Sequence, residues 1–271
     1  MGEKLLGVAG CVLLVSTIPA FAQDTTPIAE QEQNDGLTLT SGFMYSTGKY
    51  GDTRATDIRV ALMGVSYKAS DFLFSAALPY LSVDSPAYDV IGGGGTVVAI
   101  DPTAGSGTTT RTGFGDLNLS VSYSLPSTSL GGFGVDLMGQ LKLPTAGTSK
   151  GLSTGETDFG FSVDISREVG IWMPFVTLGY RIPGKPKSYS LTNSFSFSGG
   201  TSVELGEKTL AIISYDYDGA ISSSIADSHE IFASISYLLT DTLTLTGYGE
   251  AGLSVGAPDA GVGLLVSWNI P

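Results

Sequence analysis

The feature that most constrains the fold is a strict alternation of apolar and polar residues that recurs along the chain. In the segment TLTLTGYGEAGLSV (residues 242–255), apolar or small residues occupy the odd positions, and mostly polar residues occupy the even positions. A period of two predicts a β-strand with one apolar and one polar face. In a water-soluble protein the apolar face is buried, whereas in a membrane barrel it contacts lipid and the polar face lines a lumen.

Alternating segments recur from residue 36 almost to the end of the chain. They are 36–48, 53–68, 72–84, 113–125, 133–144, 156–168, 172–183, 192–205, 208–220, 228–239, 242–255 and 259–270. Strands of globular proteins have a commonest length of about 5–6 residues, while about 9–11 tilted residues cross a bilayer. The connections alternate between short turns and longer loops, as in outer-membrane barrels. The pattern predicts an all-β fold over residues 36–271, a transmembrane antiparallel up-and-down β-barrel of about 12 strands.

The composition indicates which face of these strands points outward. Only 14% of the residues are charged, against about 25% in an ordinary soluble domain. The polar face carries mainly Ser, Thr, Gly and Asn, rather than the Lys, Glu and Arg that keep a soluble surface in solution. Aromatic residues gather near both ends of the strands, as they do at the two membrane interfaces. We therefore expect the apolar face to contact outer-membrane lipid.

The N-terminus has the features of an export signal. Lys4 supplies a basic start, residues 5–18 form an apolar run, and Ala20-Phe21-Ala22 provides a cleavage motif. We expect residues 1–22 to be a cleaved signal peptide and residues 23–35 a flexible lead-in. This predicts the outer membrane of a Gram-negative bacterium as the location, with the barrel-assembly machinery as a partner during biogenesis. Cys11 is the only cysteine, so a mature chain would hold no disulfide and no thiol nucleophile.

Three short motifs lie in the middle of the chain. They are Gly113-Phe114-Gly115-Asp116-Leu117, Leu141-Lys142-Leu143-Pro144-Thr145 and Leu152-Ser153-Thr154-Gly155-Glu156-Thr157-Asp158. The pattern G-x-G-D-L, K-L-P-T and T-G-x-x-D resembles the Gram-negative outer-membrane proteins labelled as transporters of the meta-pathway of phenol degradation. The resemblance implies a barrel of roughly twelve strands. It also implies a role in the uptake of small molecules, including aromatic ones.

Strand parity turns a set of charged side chains towards the predicted lumen. They are Asp57, Arg59, Asp116, Asp136, Lys142, Asp158, Asp164, Arg181, Glu204, Asp216, Asp218, Glu230 and Glu250. These side chains would either select solutes by charge or pair with one another in a static interior network. The half of the lumen near the short turns would hold Asp136, Asp164 and Glu204, with Lys208 as its only basic residue. Unpaired acids there would give the pore a weak preference for cations.

Other function classes have less support in the sequence. The formal net charge of −13 argues against a nucleic-acid partner, which needs a basic surface. Ser228 directly precedes the only histidine, His229, and adjacent strand residues point to opposite faces, so the two do not form a nucleophile–base pair. No metal or cofactor motif is evident. The sequence predicts a non-enzymatic passive path for small solutes. The alternatives are a barrel filled by its own side chains, with a structural or surface-interaction role, and a lipid-acting enzyme.

Overall fold

The computed structural model describes residues 35–86, 89–91, 97–100, 107–126, 130–188 and 190–270. Its strands are β1 (Gly36–Gly48), β2 (Thr56–Ala69), β3 (Phe72–Pro86), β4 (Asp89–Ile91), β5 (Val97–Ile100), β6 (Thr108–Phe114), β7 (Leu117–Leu125), β8 (Gly134–Leu143), β9 (Asp158–Ser166), β10 (Trp172–Ile182), β11 (Ser194–Gly206), β12 (Thr209–Asp218), β13 (Ser228–Thr240), β14 (Leu243–Gly252) and β15 (Ala260–Ile270). A short 3-10 helix covers Thr148–Lys150. Within these ranges, no helix is long and apolar enough to cross a membrane. The predicted signal peptide, and the lead-in up to residue 34, lie outside the described residues.

The large sheet closes on itself. Each strand from β7 to β15 pairs antiparallel with the next, and β1 then pairs with both β15 and β2. Strand β3 completes the circle, because it pairs with β2 on one side and with β6 and β7 on the other. Strands β6 and β7 occupy the upper and lower parts of β3, so together they form one barrel strand interrupted at Gly115–Asp116. The result is a closed antiparallel barrel of 12 strands, which confirms the predicted fold.

The connection predicted at residues 85–112 is partly regular structure. Residues of β4 and β5 pair as a small separate hairpin, and β6 pairs with the end of β3 from Tyr80 to Pro86. The sequence TTTRTGF of β6 is rich in β-branched threonine, which favours a strand wherever a neighbouring edge is available. Strand β3 provides that edge because it extends to Pro86, so these segments are strands where the sequence pattern predicted only a long loop between residues 84 and 113.

The two faces of the barrel differ as expected of a membrane barrel. Apolar side chains such as Val121, Val163 and Val266 are exposed on the outside, whereas polar ones such as Ser122 and Thr244 are buried inside. Aromatic residues pack across strands on the outside. Their ring centroids lie 4.8 Å apart for Phe72 and Tyr123, near the short turns, and 4.7 Å apart for Tyr180 and Phe195, near the long loops. We call these two ends of the barrel the short-turn rim and the long-loop rim.

The predicted orientation of β2 is wrong. Asp57 and Arg59 lie on the outer face, where Arg59 pairs with Asp84 at 2.7 Å and Asp57 accepts a hydrogen bond from Tyr45 at 2.8 Å. The inner face of β2 carries Ile58, Val60 and Leu62 instead. The prediction turned Asp57 and Arg59 inward by strand parity, but in this part of the barrel apolar side chains fill the inside. Asp57 and Arg59, which lie near the long-loop rim, are therefore on the outer surface of the barrel.

Candidate functional site: the barrel lumen

One side of the lumen is apolar. Side chains from the inner faces of β1, β2, β3 and β15 form a continuous buried cluster, which we call the apolar wall: Met44, Ile58, Val60, Leu62, Ala77, Leu81, Val83 and Leu265. Leu81 and Val83 have no exposed surface at all. Such complete burial requires a partner across the lumen, because a wall that faced a wide, water-filled channel would remain accessible.

The partners of the apolar wall come from the loops of the long-loop rim. Tyr50 follows β1, Val97 lies in β5, and Leu152 belongs to the connection between β8 and β9; all three are buried in the same cluster. Ile225, from the connection between β12 and β13, packs against it. Several long loops therefore fold inward and narrow the lumen beside the apolar wall.

The connection at residues 144–157, here called the inner loop, is fixed to the barrel by Asp116. This side chain is fully buried at the interruption between β6 and β7. Its carboxylate accepts hydrogen bonds from the Ala146 backbone N–H at 3.0 Å and the Ser153 hydroxyl at 2.5 Å. It also lies 3.2 Å from Lys142 Nζ, which contacts Asp158 at 2.9 Å. The interruption of the strand thus places an acid where it can fasten the loop.

The three motifs noted in the sequence meet at this attachment. Thr145 Oγ1 accepts a hydrogen bond from the Leu117 N–H at 2.8 Å, and Lys142 Nζ donates one to Thr154 Oγ1 at 3.0 Å. Gly155 has a φ of +75°, and a Cβ there would overlap the methyl group of Thr148, so only glycine suits this position. Asp116, Lys142, Thr145, Thr154 and Gly155 of the motifs therefore share one role, which is to hold the inner loop inside the barrel.

The opposite side of the lumen carries hydroxyl groups and acids. On the inner faces of β7 to β14, which we call the polar wall, the buried polar side chains include Ser122, Asp136, Ser162, Asp164, Ser166, Thr177, Ser198, Ser202, Ser214, Ser234, Ser236, Thr244 and Thr246. A smaller apolar group interrupts this wall near the short-turn rim, where Phe175, Leu210 and Ile212 pack together. In the half near the long-loop rim the lumen is therefore amphipathic in cross-section, with one apolar and one mainly polar side. Nearer the short-turn rim, the inner faces of β1, β2 and β15 carry polar side chains such as Thr40, Lys68 and Ser267.

Three acids of the polar wall lie close together near the long-loop rim. Asp216 pairs in register with Glu230, and Glu250 lies on the next strand. Asp216 accepts hydrogen bonds from Ser198 at 2.5 Å and Ser214 at 2.9 Å, and Glu230 accepts one from Ser228 at 2.5 Å. In the described parts of the chain, no Lys or Arg forms a salt bridge with these three acids. We call them the acid trio.

Arg181 and Asp218 lie on the inner face beside the trio. The guanidinium of Arg181 is 3.7 Å from Asp218 Oδ1. This is a long contact for an ion pair. The inward charges near the long-loop rim therefore fall into two groups. Lys142 and Arg181 lie beside part of the set, whereas the trio has no basic side chain within salt-bridge distance among the described residues.

The charges near the short-turn rim differ from the sequence prediction in two ways. Glu204 keeps the inward parity but is exposed at the very end of β11, where burial of Glu168 and the nearby Glu204 carboxylate raise the Glu168 pKa. Lys68 faces inward, because the orientation of β2 is reversed, and it attracts Asp136 electrostatically. The half of the lumen near the short-turn rim therefore holds Asp136 and Asp164 together with Lys68, whereas the prediction named Lys208 as the only basic residue there.

The sequence reading also missed residues that build the lumen. Arg111 points inward from β6, where its guanidinium donates to the Gly151 carbonyl at 3.3 Å and to the Ser85 hydroxyl. Leu152 lay within a predicted external loop. No periodic signal identifies a loop residue that folds into a barrel, although the three motifs marked the segment.

His229 and Ser228 do not form a catalytic pair. His229 Nδ1 lies 2.6 Å from the Tyr215 hydroxyl on the outer face, while the Ser228 hydroxyl donates to Glu230 inside. In the described residues, no group of three or more His, Cys, Asp or Glu side chains is arranged to hold a metal ion. The lumen offers apolar surface, hydroxyl groups and carboxylates, which can bind and sort solutes.

Comparison with known families agrees with this description. A family described as "Putative MetA-pathway of phenol degradation" matches residues 50–270, which includes the three motifs and 11 of the 12 barrel strands in full or in large part. The chain belongs to this family. No curated protein matches the chain.

The solved structures similar to the chain include an outer-membrane channel and two porins. The COG4313 outer-membrane channel from Pseudomonas putida F1 has a TM-score of 0.65 at 12% sequence identity, covering 90% of this chain and 100% of that one. The NanC porin has a TM-score of 0.55 at 12% identity, covering 86% and 100%. The KdgM porin has a TM-score of 0.50 at 10% identity, covering 86% and 99%. At such low identity the likeness concerns the fold, an outer-membrane β-barrel of the porin-like kind.

Proposed function

We propose that this protein is a passive channel of the Gram-negative outer membrane for small solutes that carry an apolar or aromatic part. It performs no covalent chemistry. Residues 1–22 are removed as a signal peptide, residues 23–35 form a lead-in, and the short-turn rim faces the periplasm. N-terminal sequencing of protein extracted from outer membranes should give a chain that begins at Gln23. A chain that retains Met1 would contradict the export part of the proposal.

The observation that supports this function best is the amphipathic lumen. When the inner loop moves aside, a solute with a ring and a polar group could contact the apolar wall with its ring and the hydroxyl groups of the polar wall with its polar end. Ligand sites in proteins commonly combine apolar surface with a few placed polar groups in this way. A purely hydrophilic solute would gain nothing from the apolar wall.

The acid trio supports a modest preference for cations. Carboxylates in a narrow pore with low-dielectric walls attract cations and repel anions. The trio lies where a solute would enter past the long loops, and no salt bridge with a described Lys or Arg neutralises it. We therefore place the main source of the cation preference in the trio, not in Asp136 and Asp164.

A second candidate function rests on the packing of the apolar wall. Because loop residues such as Leu152 and Tyr50 bury this wall, the barrel can also be read as one closed by its own side chains, with a structural or surface-interaction role. The two candidates differ in whether solutes cross. An open path beside the inner loop supports the channel, and a sealed lumen supports the filled barrel.

Planar-bilayer recording with matched solutes separates the two. Benzyltrimethylammonium and choline have the same charge and differ in the ring, whereas benzyltrimethylammonium and benzenesulfonate both have the ring and differ in charge. Reversal potentials under bi-ionic conditions therefore measure the effect of the ring and the effect of the charge on permeability separately. We expect benzyltrimethylammonium to be more permeant than choline despite its larger size, and benzenesulfonate to be the least permeant. The control is the same barrel with Leu152→Asp, which places a charge against the apolar wall and should remove the advantage of the ring. A purified barrel with no conductance to any ion would favour the filled barrel.

A further inference from the structure

The inner loop presents a single large apolar side chain to the lumen. Leu152 is the only Leu, Ile, Val, Met or aromatic residue between positions 144 and 157, and it is 1% exposed. It belongs to the same buried cluster as Leu81 and Val83 of β3, which have no exposed surface. The contact between the inner loop and the apolar wall therefore depends on one leucine.

Most of the cluster around Leu152 belongs to strands of the barrel. Strand β3 is hydrogen-bonded to β2 on one side and to β6 and β7 on the other, which fixes the direction of its inner side chains. Strand β6 has a glycine where the leucine lies close, since a Cβ on Gly113 would be 3.4 Å from Leu152 Cδ1. Because these strands form the wall, the apolar surface stays in place when the leucine leaves it.

The tip of the inner loop, next to Leu152, is attached by polar contacts. Arg111 donates to the Gly151 carbonyl at 3.3 Å, and the Lys150 ammonium donates to the Thr112 carbonyl at 2.7 Å. Lys150 is exposed and Gly151 is half-buried, so water can replace these hydrogen bonds when the tip shifts. Gly151 has a φ of +61°, and glycine changes its backbone angles at little steric cost. The leucine can therefore leave the wall by a local rearrangement of the tip.

We propose that Leu152 occupies the binding site of the solute, and that a small apolar group displaces it. The fitting class is a benzene ring or a short branched hydrocarbon chain, because either is similar in size to the leucine side chain and needs no hydrogen-bond partner. A charged group would lose its water on this surface without compensation. This inference rests on the proposed function, because it assigns the apolar part of the solute to one position in the lumen.

Competition for one site explains how a packed apolar wall serves a channel. The leucine of the loop and the ring of a solute bury similar apolar areas against the same side chains, so exchanging one for the other changes the free energy little. A hydrophilic solute offers no such exchange, and the loop then stays in place. Leu152 is therefore a tethered competitor that admits solutes with an apolar part.

Binding to the mature barrel in lipid nanodiscs tests the competition. The barrel is titrated with 4-fluorobenzyl alcohol, and the fluorine NMR linewidth measures the bound fraction. Leu152→Ser removes the competitor and should tighten binding by at least about tenfold, because the site no longer has to be vacated first. The matched control is Leu253→Ser, which changes an exposed leucine in another connection at the same rim and should leave the affinity unchanged.

Thiol labelling shows whether the solute moves the leucine out of the wall. Cys11 lies in the predicted signal peptide, so Leu152→Cys gives a mature chain with one cysteine. A small charged methanethiosulfonate reagent should label it slowly, and about tenfold faster with benzyl alcohol present. The polyol myo-inositol, a ring covered with hydroxyl groups, should not accelerate the reaction. The matched control is Leu210→Cys, a buried inward leucine near the short-turn rim, whose labelling should not respond to benzyl alcohol.

Two results would overturn the site. Leu152→Ser could bind no more tightly than the wild type, or benzyl alcohol could fail to accelerate the labelling of Leu152→Cys. Heat-modified migration on gels shows that each barrel is folded, and Leu152→Ala replaces the serine variant if that fails to fold. Conductance of the same preparations keeps the two proposals separate. A barrel that conducts while its leucine ignores benzyl alcohol contradicts only the site, and a barrel whose leucine is displaced but that passes no solute contradicts only the channel.

Discussion

The two walls of the lumen are built on opposite principles. The apolar wall of β1, β2, β3 and β15 is stabilised by close packing against loops that fold inward, and it contains no charge. The polar wall of β7 to β14 is stabilised by hydrogen bonds from serine and threonine to carboxylates, such as the bond from Ser198 to Asp216. Near the middle of the strands, the outer faces behind both walls carry exposed apolar side chains such as Met63 and Val163. The difference teaches that a membrane barrel can keep a uniform surface towards lipid while its inside is divided into a packed half and a hydrogen-bonded half.

The largest effect is expected where the two walls are joined, at the ion pairs that fasten the inner loop. Lys142→Met would leave the fully buried Asp116 and the nearby Asp158 without their shared cation. Removing one partner of a buried ion pair costs about 3–5 kcal/mol, so the free energy of unfolding should fall by about that amount. Urea unfolding followed by tryptophan fluorescence measures it.

A control distinguishes charge from packing at the same place. Adding Asp116→Asn and Asp158→Asn to Lys142→Met removes the stranded charges and should recover part of the lost stability. Single-channel recordings should also become noisier in the single variant as the inner loop detaches. A single variant as stable and as quiet as the wild type would show that the inner loop is held by packing alone.

The next effect separates packing from hydrogen bonding. Leu81→Ala, in the apolar wall, should lower the free energy of unfolding by about 2–5 kcal/mol, because it leaves a cavity in a closely packed region. Ser198→Ala, in the polar wall, should cost about 1.5 kcal/mol, since Asp216 loses one donor but keeps Ser214. Urea unfolding of both variants under the same conditions measures the two losses in the free energy of unfolding. Equal costs would mean that the two walls do not differ in the way described.

The outer faces behind the two walls should respond alike. Met63 lies outside the apolar wall and Val163 outside the polar wall, and both side chains are exposed near the middle of their strands. Replacement of either by Arg near the middle of the membrane should cost about 2–4 kcal/mol, and Leu239→Arg at the short-turn rim about 0–1 kcal/mol. Unfolding in lipid vesicles measures all three. If Met63→Arg were harmless and Val163→Arg were not, lipid would contact only one side of the barrel.

The smallest effect concerns ion selectivity. Neutralising the acid trio with Asp216→Asn, Glu230→Gln and Glu250→Gln should remove most of the cation preference. The pair Asp136→Asn and Asp164→Asn should change it less, since Lys68 already offsets part of that charge. The preference should also fade with salt, as the screening length falls from about 10 Å at 0.1 M to about 3 Å at 1 M. Reversal potentials across a salt gradient measure both effects. A larger loss from the aspartate pair than from the trio would reverse this assignment.

Much of the fold can be predicted from sequence because the outer face obeys one rule. Lipid requires an apolar side chain at every second position, so β1 is found at residues 36–48 from its alternation alone. The rule fails for β2, where both faces are largely apolar. A useful signal was nevertheless present: Tyr67, an aromatic residue at the rim, shares odd parity with Asp57 and Arg59. An aromatic residue at the membrane interface points outward, and its parity places the charged residues outward too.

The interior is harder to predict because no periodic requirement acts on it. Phe114 shares the even parity of Asp116 and Ser122, yet it lies on the outside with odd-numbered Val121, so the outward parity changes at Gly115–Asp116. One aromatic residue out of phase is too weak a signal to locate the interruption from sequence. Leu152 is one leucine in a segment rich in Gly, Ser and Thr, and nothing local shows that it will be buried. The position of such a residue is set by side chains far away in sequence, which single-chain periodicity does not record.

The seam between β1 and β15 has a consequence for the order of assembly. These strands pair from Leu37 against Ile270 to Thr47 against Ala260, so the ladder that closes the barrel joins the two ends of the chain. Contacts between residues so distant in sequence form late, because a long loop must close before they can be made. Leu265 belongs to β15 and also to the apolar wall. The inside of the barrel therefore cannot finish packing before the last strand arrives, and closure of the wall and completion of the core are a single kinetic event.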